Sequence, residues 1–171
     1  MSGIFFWLKS KMNSIIEDNN NSIELSQNIK TLFDESSDLN KFPYQPKKIE
    51  WKNKYIVLES GGNASFNVKY KTEINNLLEI DNNFPGDNIK GLIVLNNGSV
   101  TKGIYEGTIV KAEQLFYELN YFDIESKTII KKDTVYGPLP KEYIRNNERK
   151  GYTGYPENEK IVEKIKKTFE Y

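Results

Sequence analysis

The chain is 171 residues long, enough for one domain with a sizeable core, and its 24 basic residues balance 24 acidic ones. That neutrality leaves no global field to recruit nucleic acid or an anionic membrane, so no nucleic-acid partner is expected. With neither cysteine nor histidine, disulfides, thiolate metal sites, Cys or His catalysis and imidazole pH switching are excluded, and neither a metal nor a cofactor is expected.

Residues 3–18 carry Ile4, Phe5, Leu8, Met12, Ile15 and Ile16 on one helical stripe. The spacing predicts a helix docked on the domain; the sharper reading is a membrane-surface or partner-binding helix, with Phe6 and Trp7 as anchor. This opening run is too short, and lacks the basic start, for a signal peptide. No stretch approaches the ~20 apolar residues that span a bilayer. A cytoplasmic protein without a transmembrane segment is the expectation.

Ser22 is a candidate N-cap for a second helix over residues 23–33, with Leu25, Ile29, Leu32 and Phe33 on one side. Residues 34–48 show no periodicity, and Pro43 and Pro46 bracket Tyr44. If a hinge separates a helical arm (1–40) from a β-rich body (47–171), it lies here; the simpler organisation is one unit over 1–171.

Strand patterns follow. Residues 49–59 contain Trp51 and the apolar run Tyr55-Ile56-Val57-Leu58, and Phe66, Val68 and Tyr70 alternate with polar neighbours beyond a Ser60-Gly61-Gly62-Asn63 turn. Residues 73–80 match either a helical turn or a strand. Residues 91–95 form a short apolar strand, Asn96-Asn97-Gly98-Ser99 reads as a hairpin turn, and residues 100–105 as its partner.

The chain is organised around residues 107–136. Leu115, Tyr117, Leu119 and Tyr121 alternate with Gln114, Phe116, Glu118, Asn120 and Phe122, which puts the first set on a core face. Asp123 and Ser126 suit a four- or five-residue loop. The return arm carries Ile129, Ile130, Val135 and Tyr136, with Lys131, Lys132 and Asp133 towards water, until Gly137-Pro138-Leu139-Pro140 stops it. At the end of the chain Ile161, Val162, Ile165 and Phe169 make an apolar stripe, with Glu157 and Glu159 before it and Lys164, Lys166 and Lys167 towards its end.

The fold class that emerges is α+β: a mainly antiparallel sheet built on the long hairpin, two N-terminal helices, and a C-terminal amphipathic helix packing on the sheet.

Nothing in the sequence matches a phosphate loop, a dinucleotide fingerprint, a nucleophile elbow or a calcium loop, and no pair of carboxylates is singled out, so no enzymatic activity is expected. The best recognition candidate is the loop over residues 141–156. It holds both arginines of the chain, Arg145 and Arg149, with Lys150, Tyr143, Tyr152 and Tyr155. Guanidinium forks suit carboxylate or phosphate, and tyrosine rings stack. The bland reading is a loop crossing to the last helix. The functional expectation is a non-enzymatic, accessory or immunity-like module that binds another protein through this loop or the hairpin. Alternatives are a small-ligand binder with a cavity lined by Tyr117, Tyr121 and Tyr136, and a peripheral membrane protein acting through its first helix. Unpaired strand edges would also allow a homodimer by sheet extension.

Overall fold

The computed structural model describes residues 42–51, 54–60, 68–80, 89–143 and 151–170. Both expected N-terminal helices lie outside the described residues. The described elements are β1 (Tyr55–Ser60), β2 (Val68–Tyr70), α1 (Thr72–Leu77), β3 (Gly91–Ile104), β4 (Lys111–Asp123), β5 (Thr128–Tyr136) and α2 (Asn158–Phe169).

The five strands form one sheet in the order β2-β1-β3-β4-β5. β1–β2, β3–β4 and β4–β5 pair antiparallel, but β1 and β3 pair parallel, Tyr55 opposite Gly91 and Glu59 opposite Leu95. The sheet expected to be mainly antiparallel is therefore mixed, antiparallel in three of its pairings and parallel in the fourth. A parallel pair needs a crossover, and the chain between β1 and β3 supplies it with β2 and α1.

The apolar runs of β1 and β3 now make sense. Where the two strands lie side by side both faces of the sheet are covered, so consecutive residues are buried instead of alternate ones. Tyr55, Val57, Ile93 and Leu95 join the core beneath the helices, with Tyr117, Leu119, Tyr121, Ile161 and Ile165. Ile56, Leu58, Leu92, Val94, Phe122 and Ile129 form a second cluster on the opposite face, with Phe42 and Ile89 packed against it. Each such side chain, fully buried, contributes about 1.5–3 kcal/mol.

The hairpin expected at Asn96–Ser99 does not form. β3 runs straight through these residues to Ile104, paired with β4 along its length. Gly98 lies directly opposite Phe116, whose ring covers the place where a Cβ would sit. The aromatic ring thus supplies the packing that glycine lacks, and the strand continues. The reversal comes later, at residues 105–110, where Gly107 adopts a positive φ of 71°. Thr108 ties that turn: its hydroxyl donates to the Tyr105 carbonyl at 2.9 Å and accepts from the Val110 N–H at 3.1 Å.

The β4–β5 hairpin has the expected tight loop. The Asp123 carboxylate accepts from the Ser126 backbone N–H at 2.9 Å and from the Ser126 hydroxyl. A bulge then shifts the register: Tyr121 faces Lys131 while Phe122 faces Ile129, leaving Ile130 as the extra residue. This reverses the parity of the return arm. Lys131 and Asp133, expected towards water, instead turn towards α2. There Asp133 pairs with Lys164 at 3.0 Å and Lys131 at 3.4 Å, and Thr168 donates to it at 3.3 Å. Lys132 lies on the other face, beside Glu118 at 3.8 Å. Beyond Ile129, residues 43–47 run parallel to β5: Gln45 and Lys47 donate to the Ile129 and Ile130 carbonyls, and Ile129 donates to Pro43. Alternate donors face the sheet, so Pro46 sits where no donor is needed.

Residues 73–80, ambiguous in sequence, are helical over Thr72–Leu77. Ile74 plugs the core, and the fully buried Asn75 uses its side-chain amide as a strand would. Its Oδ1 accepts from the Val57 N–H and its Nδ2 donates to the Val57 carbonyl, both at 2.9 Å. β2 pairs with β1 only from Leu58 onward; Asn75 completes the ladder one residue further, and so joins α1 to the sheet. The helix ends with Ile80 N–H on the Asn75 carbonyl and Glu79 N–H on the Asn76 carbonyl, both 3.0 Å, with Glu79 at a φ of 56°. That is a Schellman ending on a residue other than glycine.

α2 lays Ile161, Val162 and Ile165 on the sheet. Phe169 stacks on Tyr55 at 4.7 Å and meets the Trp51 ring edge-on at 5.6 Å. Burial pushes the Tyr55 phenol up to about 12 and raises Tyr121 well above the usual phenol range.

Candidate interaction surface

β3 and β4 are longer than the rest of the sheet. β1 accompanies β3 only as far as Leu95, and β5 accompanies β4 only from Phe116 onward. The far part of the β3–β4 pair therefore extends as a two-stranded arm with its turn at 105–110.

Two loop segments brace the arm. Residues 137–143 leave β5 through Gly137, whose N–H donates to the Leu115 carbonyl at 2.8 Å and whose carbonyl accepts from the buried Gln114 side chain at 2.8 Å. The Lys141 carbonyl accepts from the Tyr105 hydroxyl at 2.8 Å. Residues 151–155 lie alongside: the Gly151 carbonyl accepts from Glu113 N–H at 3.0 Å, and the Thr153 hydroxyl donates to the Leu139 carbonyl at 2.8 Å. Gly151 sits so close to β4 that a Cβ there would run into the Lys111 carbonyl oxygen. The arm's turn and the two segments are thus one tied assembly, with Tyr105 buried in the middle.

Six of the nine exposed large hydrophobic or aromatic side chains among the described residues belong to this assembly. Ile109, at 96% exposure, stands at the turn; Ile104, Leu139 and Tyr143 are more than half exposed, and Tyr152 and Tyr155 are open to a lesser degree. Isolated surface hydrophobics are ordinary, but a concentration on one rigid end of a molecule is not.

The residues expected from sequence divide. Tyr143, Tyr152 and Tyr155 fall on this end of the molecule. Arg145, Arg149 and Lys150 lie outside the described residues. Tyr155 stacks on Tyr117 at 4.9 Å, and the Tyr117 hydroxyl donates to Glu59 at 2.9 Å. Lys71 pairs with the other Glu59 oxygen at 3.1 Å and lies over the Tyr117 ring. Burial, then the Glu59 hydrogen bond and charge, hold the Tyr117 phenol well above its ordinary range. With both carboxylate oxygens engaged, the cluster acts as a clamp holding Tyr155 in place.

The three tyrosines suggested for a ligand cavity do not share one. Tyr117 and Tyr121 lie on the helix-covered face, whereas Tyr136 pairs with Phe116 on the opposite face and is half exposed. Among the described residues, an open groove of about 380 Å³ between α1 and α2 is floored by Leu77 and Val162 and rimmed by charged side chains. No group of three or more His, Cys, Asp or Glu side chains able to hold a metal ion occurs among the described residues. No helix among them is long and apolar enough to cross a membrane.

Ile104, Ile109 and Leu139 were not foreseen as surface residues. Their only signal was turn chemistry: Gly107-Thr108 before Ile109, and prolines on both sides of Leu139. No family model, no curated protein and no solved structure matches this chain.

Proposed function

We propose that this protein is a non-enzymatic interaction module whose contact surface is the turn of the β3–β4 arm together with residues 137–143 and 151–155. The observation that carries the reading is the gathering of Ile104, Ile109, Leu139, Tyr143, Tyr152 and Tyr155 as exposed side chains on backbone that is already tied down. Rigid apolar and tyrosine anchors bind at low entropic cost, because little is left to immobilise on contact. Arg145, Arg149 and Lys150 lie in sequence between the two loop segments, and the same proposal gives them the role of charged contacts at its edge.

A photo-crosslinking amino acid placed at Ile109, at Leu139 and, as a control, at Glu73 on α1 tests it in living cells. Discrete protein adducts are expected from Ile109 and Leu139 and not from Glu73. Equal adducts from all three positions, or none from any, would remove the reading. Arg145→Ala/Arg149→Ala should then reduce adduct yield from Ile109.

A further inference from the structure

We infer that the free edge of β3, from Asn97 to Thr101, is a strand-addition site that takes an extended segment of a partner protein as a further strand of the sheet. This edge is separate from the contact surface proposed above, and either can fail without the other.

Backbone parity fixes which groups face outward. Gly91 lies opposite Tyr55 and its N–H donates to the Lys54 carbonyl at 3.1 Å, so its backbone groups face β1. Successive residues of a strand turn their groups to opposite sides, and Ile93, Leu95, Asn97, Ser99 and Thr101 therefore share the side of Gly91. β4 agrees. The Glu113 N–H donates to the Gly151 carbonyl and the Leu115 carbonyl accepts from Gly137, both away from β3. That leaves Gln114 and Phe116 facing β3, opposite Val100 and Gly98. Since β1 accompanies β3 only as far as Leu95, the N–H and carbonyl groups of Asn97, Ser99 and Thr101 point past its end. Among the described residues none bonds to them there, and all three residues are exposed.

The other edges of the sheet are guarded. β2 is only three residues long. The outer side of β4 along the arm is taken by Gly137 and Gly151. β5 has residues 43–47 beside Ile129 and Ile130, and then Lys131, Lys132 and Asp133. Short strands, covering segments and charges are the usual protections of an edge. Residues Asn96–Thr101 carry neither charge nor proline. The opening ends at the register shift between Thr101 and Gly103, which sets Lys102 at its far end.

The opening also selects its occupant. A row of alternate N–H and carbonyl groups is matched by another extended backbone. Neighbouring side chains set the pattern of that segment. One of its faces would lie beside Gly98, Val100 and the Phe116 ring that covers Gly98, the other beside Asn97, Ser99 and Thr101. A segment alternating apolar with uncharged polar residues fits both. A second copy of this chain fits less well. Pairing two such edges about Ser99 puts the Lys102 bulge of each copy beside Asn96 of the other, against the end of β1.

Selection from a phage-displayed library of random dodecapeptides on the full chain, followed by amide hydrogen exchange read residue by residue, tests the inference. In the free chain the Asn97, Ser99 and Thr101 amides are expected to exchange fast, and those of Gly98 and Val100 slowly. Selected peptides are expected to share the alternating pattern and to slow the three fast amides at least about tenfold. Ser99→Pro removes an outward N–H while leaving the bonds to β4 in place, and should weaken peptide binding at least about tenfold, whereas Ser99→Ala should not change it. Circular dichroism confirms folding, and the exchange readings on wild type stand whether or not the proline variant folds. Slow exchange at all three amides in the free chain would show the edge already covered, and overturns the inference. So does a selection that yields no binder, a binder that leaves the three amides fast, or one indifferent to a folded Ser99→Pro. Protection that appears only as protein concentration rises gives the edge to a second copy, and overturns it too.

Discussion

The same two strands lead different lives at their two ends. Near Gly91–Leu95 of β3, both faces of the sheet are covered, and Leu92, Ile93, Val94 and Leu95 are almost wholly buried opposite Leu119, Tyr121 and Phe122. From Asn96 onward, β3 loses its β1 partner, the burial pattern opens, and the strand ends with Ile104 largely exposed. The buried end has its apolar groups inside a packed core, where each missing methylene is felt. The far end is tied too, through Thr108, Tyr105 and Gly151, but it closes around Tyr105 and leaves Ile104 and Ile109 outside. A backbone fixed by hydrogen bonds therefore need not bury the apolar side chains it carries.

Substitutions at the two ends should divide accordingly. Leu119→Ala, at the centre of the core, is expected to cost about 2–5 kcal/mol of unfolding free energy in urea titrations. Ile109→Ala should change it by less than about 0.5 kcal/mol. A similar loss at both positions would erase the distinction. Asn75→Ala strands a buried Val57 N–H at the edge of the buried end, and should cost about 1–3 kcal/mol. An unchanged midpoint would mean that the amide is not completing the β1 ladder.

The aromatic groups of the core extend the comparison to pH. Tyr55 is raised to about 12 by burial, so the folded protein keeps its proton where the unfolded chain, titrating near 10, has lost it. Its contribution to stability is fully present below about pH 10 and is lost as pH rises towards 12. Tyr117 and Tyr121 shift in the same direction. Thermal midpoints should hold up to about pH 10 and then fall steeply, and Tyr55→Phe should soften that fall. No alkaline fall, or one that Tyr55→Phe leaves untouched, would count against the burial of these rings. The smallest effect is a gain. Glu79 holds a left-handed conformation at the end of α1, where glycine is unstrained, so Glu79→Gly is expected to stabilise by about 0.5–1 kcal/mol.

How far the sequence revealed this architecture depended on the range of the forces involved. The alternation of Leu115, Tyr117, Leu119 and Tyr121 and the stripe of Ile161, Val162 and Ile165 are local patterns set by strand and helix periods, and both sets are buried. The Asp123–Ser126 loop was legible because the side chains that close it are neighbours in sequence. The parallel β1–β3 pair was not, since nothing in Tyr55–Ser60 records which distant strand it will join. Nor was the continuation of β3 through Asn97-Gly98: local turn preference lost to Phe116, eighteen residues beyond Gly98, which covers the glycine from across the sheet. The single extra residue at Ile130 had the widest effect, moving Lys131 and Asp133 from open water to the underside of α2. For the contact surface, the tyrosines were visible as a composition, but the isoleucines of the turn became surface residues only once the true reversal was placed at 105–110.

Urea unfolding of wild type beside Ile104→Ser/Ile109→Ser/Leu139→Ser tests the central claim most directly. The two midpoints should coincide, because these side chains are exposed and contribute little to the fold. A variant that unfolds several kcal/mol more easily would contradict the account, by showing that the exposed apolar residues belong to the fold itself.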